Sequence, residues 1–222
     1  MVFFRHVFFK VPPKLQEKYI DGKRHYVSPN GKILPSVTTV LNLLNKDFLD
    51  IWRKKVGEAK ADAISQRAMA EGTEMHSLIE DYLSNIATEG KKSPRAHKLF
   101  EQMKPYLHRI NNIYALEIQL YSEKIGVAGR TDCIGEFDGI LSVIDFKTSR
   151  KRKRIDWITS YFLQATCYAL MFEESQGKMI DNLVIIISSD DGNVDLFIEK
   201  RDKWVDKLLI IIEDYYLRKE FG

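Results

Sequence analysis

The segment from Glu117 to Thr148 constrains this chain more than any other, because its residues alternate in character over short runs separated by turn signals. Successive side chains of a strand point to opposite faces, so a period of two marks β-structure. The spacing predicts strands over roughly Ile113–Tyr121, Val127–Phe137 and Ile140–Lys147, joined by tight turns into a meander. Asp145 and Lys147 then share one face, and Arg130 and Asp132 share a face of the preceding strand. If those strands pair, two carboxylates and a lysine meet on one surface. A half-buried strand seldom turns charges inward without a use for them. A metal-dependent phosphodiesterase is the expectation this stretch raises.

The rest of the chain fits an ordinary globular protein. Its 222 residues suffice for one domain with a sizeable core. A net charge of +3 is mild, so any basic surface has to be local. Two cysteines, Cys133 and Cys167, are too few for a disulfide framework or a four-cysteine metal site, and they fit a reducing compartment. Arg5, His6 and Lys10 interrupt the apolar N-terminus, leaving no signal-peptide core, and no run is long enough for a membrane span.

In chain order, Val2–Val11 reads as a β segment and Asp21-Gly22 as the turn of a hairpin within Lys18–Val27. Ser36 is placed to cap a helix carrying Val37, Val40, Leu41 and Leu44. A short helix over Phe48–Lys55 follows, then a long helical segment from Gly57 to Ile86, with Gly72 as a possible break. Thr88–Ser93 reads as a polar loop, and Pro94 opens a helix to about Arg109. Beyond the meander come an amphipathic helix over Trp157–Glu174, a strand buried on both faces at Asn182–Ser188, a last strand at Val194–Ile198 and a closing helix. The order predicts a mixed α/β fold, a central mixed sheet flanked by helices, preceded by an N-terminal hairpin and helical extension.

Taken singly, the candidate residues have bland readings. Asp-x-Lys at Asp145–Lys147 is also what a surface ion pair at a strand end looks like, and Asp132 could simply pair with Arg130. Gly72, His76 and Glu80 fall on one helical stripe, as do Gln164 and Tyr168 four residues apart. Glu117 is equally a further acidic site residue or an ordinary strand residue. The five basic residues Arg150, Lys151, Arg152, Lys153 and Arg154 form a solvated loop or a phosphate-binding one. Phe48, Trp52 and Trp157 could stack on bases, or could be packing residues.

The ordered set Gly72-Thr73…His76…Glu80, then Gly129-Arg130-Thr131-Asp132, then Ile144-Asp145-Phe146-Lys147-Thr148-Ser149, then Gln164…Tyr168 resembles the RecB-type branch of the PD-(D/E)XK nuclease superfamily. Within it, the chain looks most like the mitochondrial genome maintenance exonuclease family and its phage and bacterial relatives. The likeness begins at Leu34–Leu41 and covers most of the chain. It implies a restriction-endonuclease-like core over 71–222, with residues 1–70 as an extension of the same single domain covering the active site.

The resemblance further implies hydrolysis of DNA by a Mg²⁺- or Mn²⁺-dependent exonuclease preferring single-stranded ends. His76, Asp132 and Asp145 would be metal ligands with the Phe146 carbonyl, and Lys147 the catalytic lysine. Glu80, Gln164, Tyr168 and Glu117 would support them, and Arg130 with Arg150–Arg154 would meet the phosphate backbone. Two embedded cysteines cannot hold the four-cysteine iron–sulfur cluster some RecB-type nucleases carry. With no mitochondrial leader, a cytoplasmic protein of bacterial or phage origin is expected, with DNA as partner, no membrane, and a monomer plausible. Two other readings stay open: a structure-specific or nicking endonuclease on the same fold, and an inactive protein that only binds nucleic acid.

Overall fold

A computed structural model describes residues 2–88 and 92–221, with the side chains of residues 45–48 and 221 outside the description. Residues 89–91 of the Thr88–Ser93 loop and the Phe48 side chain therefore lie outside the described residues. Strands β4 (Ile110–Ser122), β5 (Val127–Phe137), β6 (Ile140–Ser149), β7 (Asn182–Ser189) and β8 (Val194–Lys200) form one sheet in sequence order. All neighbours pair antiparallel except β6 and β7, which run parallel. Parallel neighbours need a crossover, and helix α5 (Thr159–Gln176) supplies it.

The run Leu183–Ile187 explains why the sheet sits between two layers of helix. Val184 and Ile186, with Ile144 and Phe146 of β6, pack under helices α3 (Glu58–Leu83) and α4 (Pro94–Leu107). Leu183, Ile185 and Ile187, with Val143, pack under α5 and helix α6 (Asp202–Phe221). A strand apolar on both faces has to be central. Cys133 and Cys167 are buried thiols in these two separate clusters, on opposite sides of the sheet.

The extension forms a second small sheet from β1 (Gln16–Ile20), β2 (Lys23–Val27) and β3 (Ile33–Pro35), whose Tyr26 and Leu34 pack against Ala128 of β5. Helices α1 (Val37–Leu41) and α2 (Lys46–Val56) lead from it into α3. Ser36 caps α1: its Oγ accepts the Thr39 N–H at 3.0 Å and lies 2.9 and 2.8 Å from the Thr38 and Thr39 hydroxyls. Because Ser36 is buried, Ser36→Ala leaves the Thr39 N–H without its cap, while the Thr39 hydroxyl keeps the Arg24 carbonyl at 3.0 Å, and a loss of about 1–2 kcal/mol in urea unfolding is expected.

Three expectations need correction. Val2–Val11 forms no strand, only a bridge in which the Val7 N–H donates to Ile113 O at 2.7 Å and the Ile113 N–H to Arg5 O at 2.8 Å. Adjacent phenylalanines cannot both face a core from extended chain, and here Phe4 is buried while Phe3 and Phe8 face solvent. Helix α3 runs through Gly72 unbroken, since one glycine costs a helix only about 1 kcal/mol against its other residues. Trp157 precedes α5, in a short 3₁₀ turn at Ile155–Trp157. Among the described residues no helix is long and apolar enough to cross a membrane.

Candidate active site

The site lies where two paired strands part. The β5–β6 ladder runs from Phe137/Ile140 to Cys133/Ile144 and stops one step short of Asp132 and Asp145. Beyond that step β5 stays with β4 as far as Ser122/Val127, while β6 stays with β7 as far as Ser149/Ser189. In place of the lost ladder bond, the Phe146 N–H donates to Asp132 Oδ2 at 2.9 Å. On the other flank Glu117 faces Asp132 between the pairs Leu116/Cys133 and Ile118/Thr131, with φ at 50°. A left-handed residue other than glycine within a strand costs of order 1–3 kcal/mol, and such strain gathers at functional sites.

Helix α3 brings His76 over this gap. Its Nδ1 lies 3.5 Å from Glu117 Oε1 and 3.6 Å from Asp132 Oδ1. Ligand atoms of His76, Glu117 and Asp132 all fall within 4.8 Å of one another. One imidazole and two carboxylates form a donor set that suits a divalent metal cation. Burial works against the charged imidazole, but Asp132 and Glu117 outweigh it and His76 titrates above its ordinary value. Glu80, one turn further along α3, is also pushed up, by its own burial and then by the charge of Glu117.

Asp145 and Lys147 form a tight pair, Nζ standing 2.6 Å from Oδ1 and 2.5 Å from Oδ2. Only the first contact is aligned as a hydrogen bond, leaving Oδ2 buried without one. The Lys147 ammonium also lies 5.3 Å from the Tyr161 ring centroid. Burial would strip the proton from Lys147, yet Asp145 and Asp132 win and its pKa is raised. Burial likewise drives Asp145 up to about 6, against the pull of Lys147.

A carboxyl whose pKa is higher folded than unfolded binds its proton more tightly in the folded chain. Its stabilising contribution is complete below the unfolded value near 3.8 and is lost as pH rises through about 6. Urea midpoints of the metal-free protein between pH 4 and 7 should therefore show a falling component that Asp145→Asn removes.

His76, Glu80, Glu117, Asp132 and Lys147 open into a cleft of about 410 Å³. Gln164 and Tyr168 of α5 line it, the Gln164 amide donating to Tyr168 Oη at 3.2 Å. Gly129 allows Tyr168 to lie flush, because a Cβ there would stand 2.9 Å from the ring. Arg24 of the extension lines the cleft too, and no sequence signal pointed to it. Glu117, expected among the supporting residues, stands opposite Asp132 in the antiparallel register and joins the cluster. Of the expected metal ligands, the structure gathers His76 and Asp132 with Glu117, turns Asp145 towards Lys147, and engages Phe146 through its amide.

The basic residues divide. Arg130 pairs with Glu117 at 3.0 Å, Arg152 with Asp195 at 2.8 Å and Arg154 with Asp156 at 3.1 Å. The side chains of Arg150, Lys151 and Lys153 carry no acidic partner among the described residues.

Splayed strands presenting Asp132 beside Asp-x-Lys, over a mixed sheet held between helices, define a nuclease-type site, and the comparison with known families agrees. Residues 39–210 match the PD-(D/E)XK nuclease superfamily, and the chain belongs to it. It is similar to mitochondrial genome maintenance exonuclease 1 of Homo sapiens, 26% identical over 207 residues, covering 85% of this chain and 60% of that protein. The Xenopus tropicalis protein of the same name is 25% identical over 234 residues, covering 96% of this chain and 64% of its own. The chain thus spans about three fifths of the length of these relatives. A putative exonuclease from Eubacterium rectale shares the fold, with a TM-score of 0.51 at 14% identity over 68% of this chain and 65% of that one.

Proposed function

We propose that this chain is a Mg²⁺- or Mn²⁺-dependent DNA exonuclease that acts on single-stranded ends. The observation that carries the reading is the convergence of His76, Glu117 and Asp132 beside the buried Asp145–Lys147 pair. A divalent ion held by His76, Glu117, Asp132 and Asp145 would supply charge that polarises the scissile phosphate and acidifies a water.

The chain's own groups do the rest. Lys147 is kept cationic by Asp145 and directs N–H donors at the charge that develops on the phosphate. Asp132 is fixed by the Phe146 amide, so its second oxygen keeps its aim. Arg24, from the extension, offers a further cation to the strand in the cleft. Support for an exonuclease comes from the relatives that bear that name. Support for one strand comes from the size of the cleft, which is that of a small-ligand pocket.

The test is a time course on end-labelled linear and covalently closed DNA, single-stranded and duplex, with Mg²⁺, Mn²⁺ or chelator. Linear single strands should shorten, closed circles should survive, and chelator should stop the reaction. Cutting of the circle would instead identify an endonuclease. Binding without cleavage in either metal would leave only a binding protein.

A further inference from the structure

A second cavity of about 700 Å³ continues from the catalytic cleft. Ala68 lines both, and Lys147 on the cleft side is followed at once by Thr148 on the other. The two walls of this groove differ in charge. On the helical wall the cations are neutralised: Arg67 lies 2.9 Å from Glu71, and Arg95 lies 2.8 Å from Glu71 and 2.6 Å from Asp190. On the loop wall the side chains of Arg150, Lys151 and Lys153 stand without acidic partners among the described residues, so that wall presents unmatched positive charge to the groove.

The same wall carries Trp157, 63% exposed at the end of its 3₁₀ turn, with the Arg154 guanidinium 5.7 Å from its ring centroid. Indoles are highly buried on average, and this one is held by a short turn rather than folded into either core cluster. A row of unmatched cations calls for a polyanion, and an exposed indole beside it calls for a flat apolar partner. A free phosphate would answer the first and leave the second. A duplex would answer the first, but its base faces are already stacked on one another. An unpaired nucleic-acid segment answers both.

Resting on the nuclease reading above, we infer that this groove is a second nucleic-acid subsite, holding a single-stranded segment continuous with the strand in the cleft. Its phosphates lie on Arg150, Lys151 and Lys153, and one of its bases stacks on Trp157. The groove gives the enzyme a grip on strand that is not being cut, so substrates too short to reach Trp157 are bound more weakly.

The test measures anisotropy of a labelled single-stranded oligonucleotide in chelator, where no cleavage interferes, across a salt series with the full chain. Trp157→Ala should weaken binding about tenfold or more, while Trp157→Phe, which keeps an aromatic face, should retain most of it. Removing Arg150, Lys151 and Lys153 together, each to alanine, should lower the slope of log affinity against log salt by about 2. A blunt duplex of equal length should not distinguish Trp157→Ala from wild type.

Wild-type affinity in Trp157→Ala, or an unchanged salt slope in the triple variant, would overturn the subsite, as would equal losses on duplex and single strand. If the variants behave as expected but no metal elicits cleavage, the catalytic reading fails and the groove stands. Cleavage by wild type with unaffected variants is the reverse case.

Discussion

Lys147→Ala should remove about two to three orders of magnitude from the rate of single-strand degradation, the effect of losing one well-aimed donor to developing charge. The structure makes the substitution informative because, among the described residues, Lys147 forms its ion pair with Asp145, which is itself buried. With the ammonium gone, Asp145 loses its nearest counter-charge against its burial, and its pKa should rise beyond about 6. The carboxyl can then take up a proton and avoid standing as a bare buried charge, so the fold should survive. Lys147→Arg should restore little, since a planar guanidinium cannot reproduce a compact ammonium packed between a carboxylate and the Tyr161 ring. Initial rates on linear single strands, read beside circular dichroism melting curves, check both halves. A Lys147→Ala protein that melts normally and degrades DNA at the wild-type rate would remove this residue from the chemistry.

Gly129→Ala should cost about 1–3 kcal/mol, although alanine is elsewhere the mildest of substitutions. The added Cβ would stand 2.9 Å from Tyr168 Cε1, 3.0 Å from its Oη and 3.2 Å from Val37 Cγ2. None of these can retreat easily: Tyr168 and Val37 are buried, and β5 is pinned here by pairing of Gly129 with Leu120. Either the tyrosine ring or the strand must shift. For a chain of this length the expected fall in melting temperature is about 2–10 °C. Since Tyr168 lines the cleft and holds Gln164, the folded variant should also lose activity. Calorimetry that places Gly129→Ala within a degree of wild type would show that this contact has slack.

Much of this arrangement was legible beforehand, and the reasons differ by residue. The meander could be read because period-two alternation is local, and β7 because an apolar run with no polar face has only a central place to go. His76, Asp132 and Asp145 were named through the resemblance, with periodicity giving each a face, and the structure brings the first two together with Glu117. The posture of Asp145 was not legible: charge pairing with Lys147 two residues away competes with facing His76, and sequence does not weigh the two. Glu117 stayed open between a site residue and an ordinary strand residue because its place comes from a left-handed backbone opposite Asp132, a conformation no residue type announced. Arg24 comes from a separate small sheet, and nothing local ties it to a cleft whose next lining residue is Ala68. The N-terminal phenylalanines misled for the opposite reason, as β propensity without a consistent face does not make a strand.

Helix α3 has one further consequence. Its 26 residues extend about 39 Å at the usual rise per residue, beginning within the extension and ending against the main sheet. A boundary drawn at residue 70 cuts this rod in its middle, separating Ala61 from Met75, Leu78 and Ile79, which anchor its second half. Unfolding the extension would therefore fray the helix that carries His76, and loosening the core would unmoor the segment that carries Arg24. The two regions should behave as one cooperative unit, so a protease that nicks the arm disarms the blade.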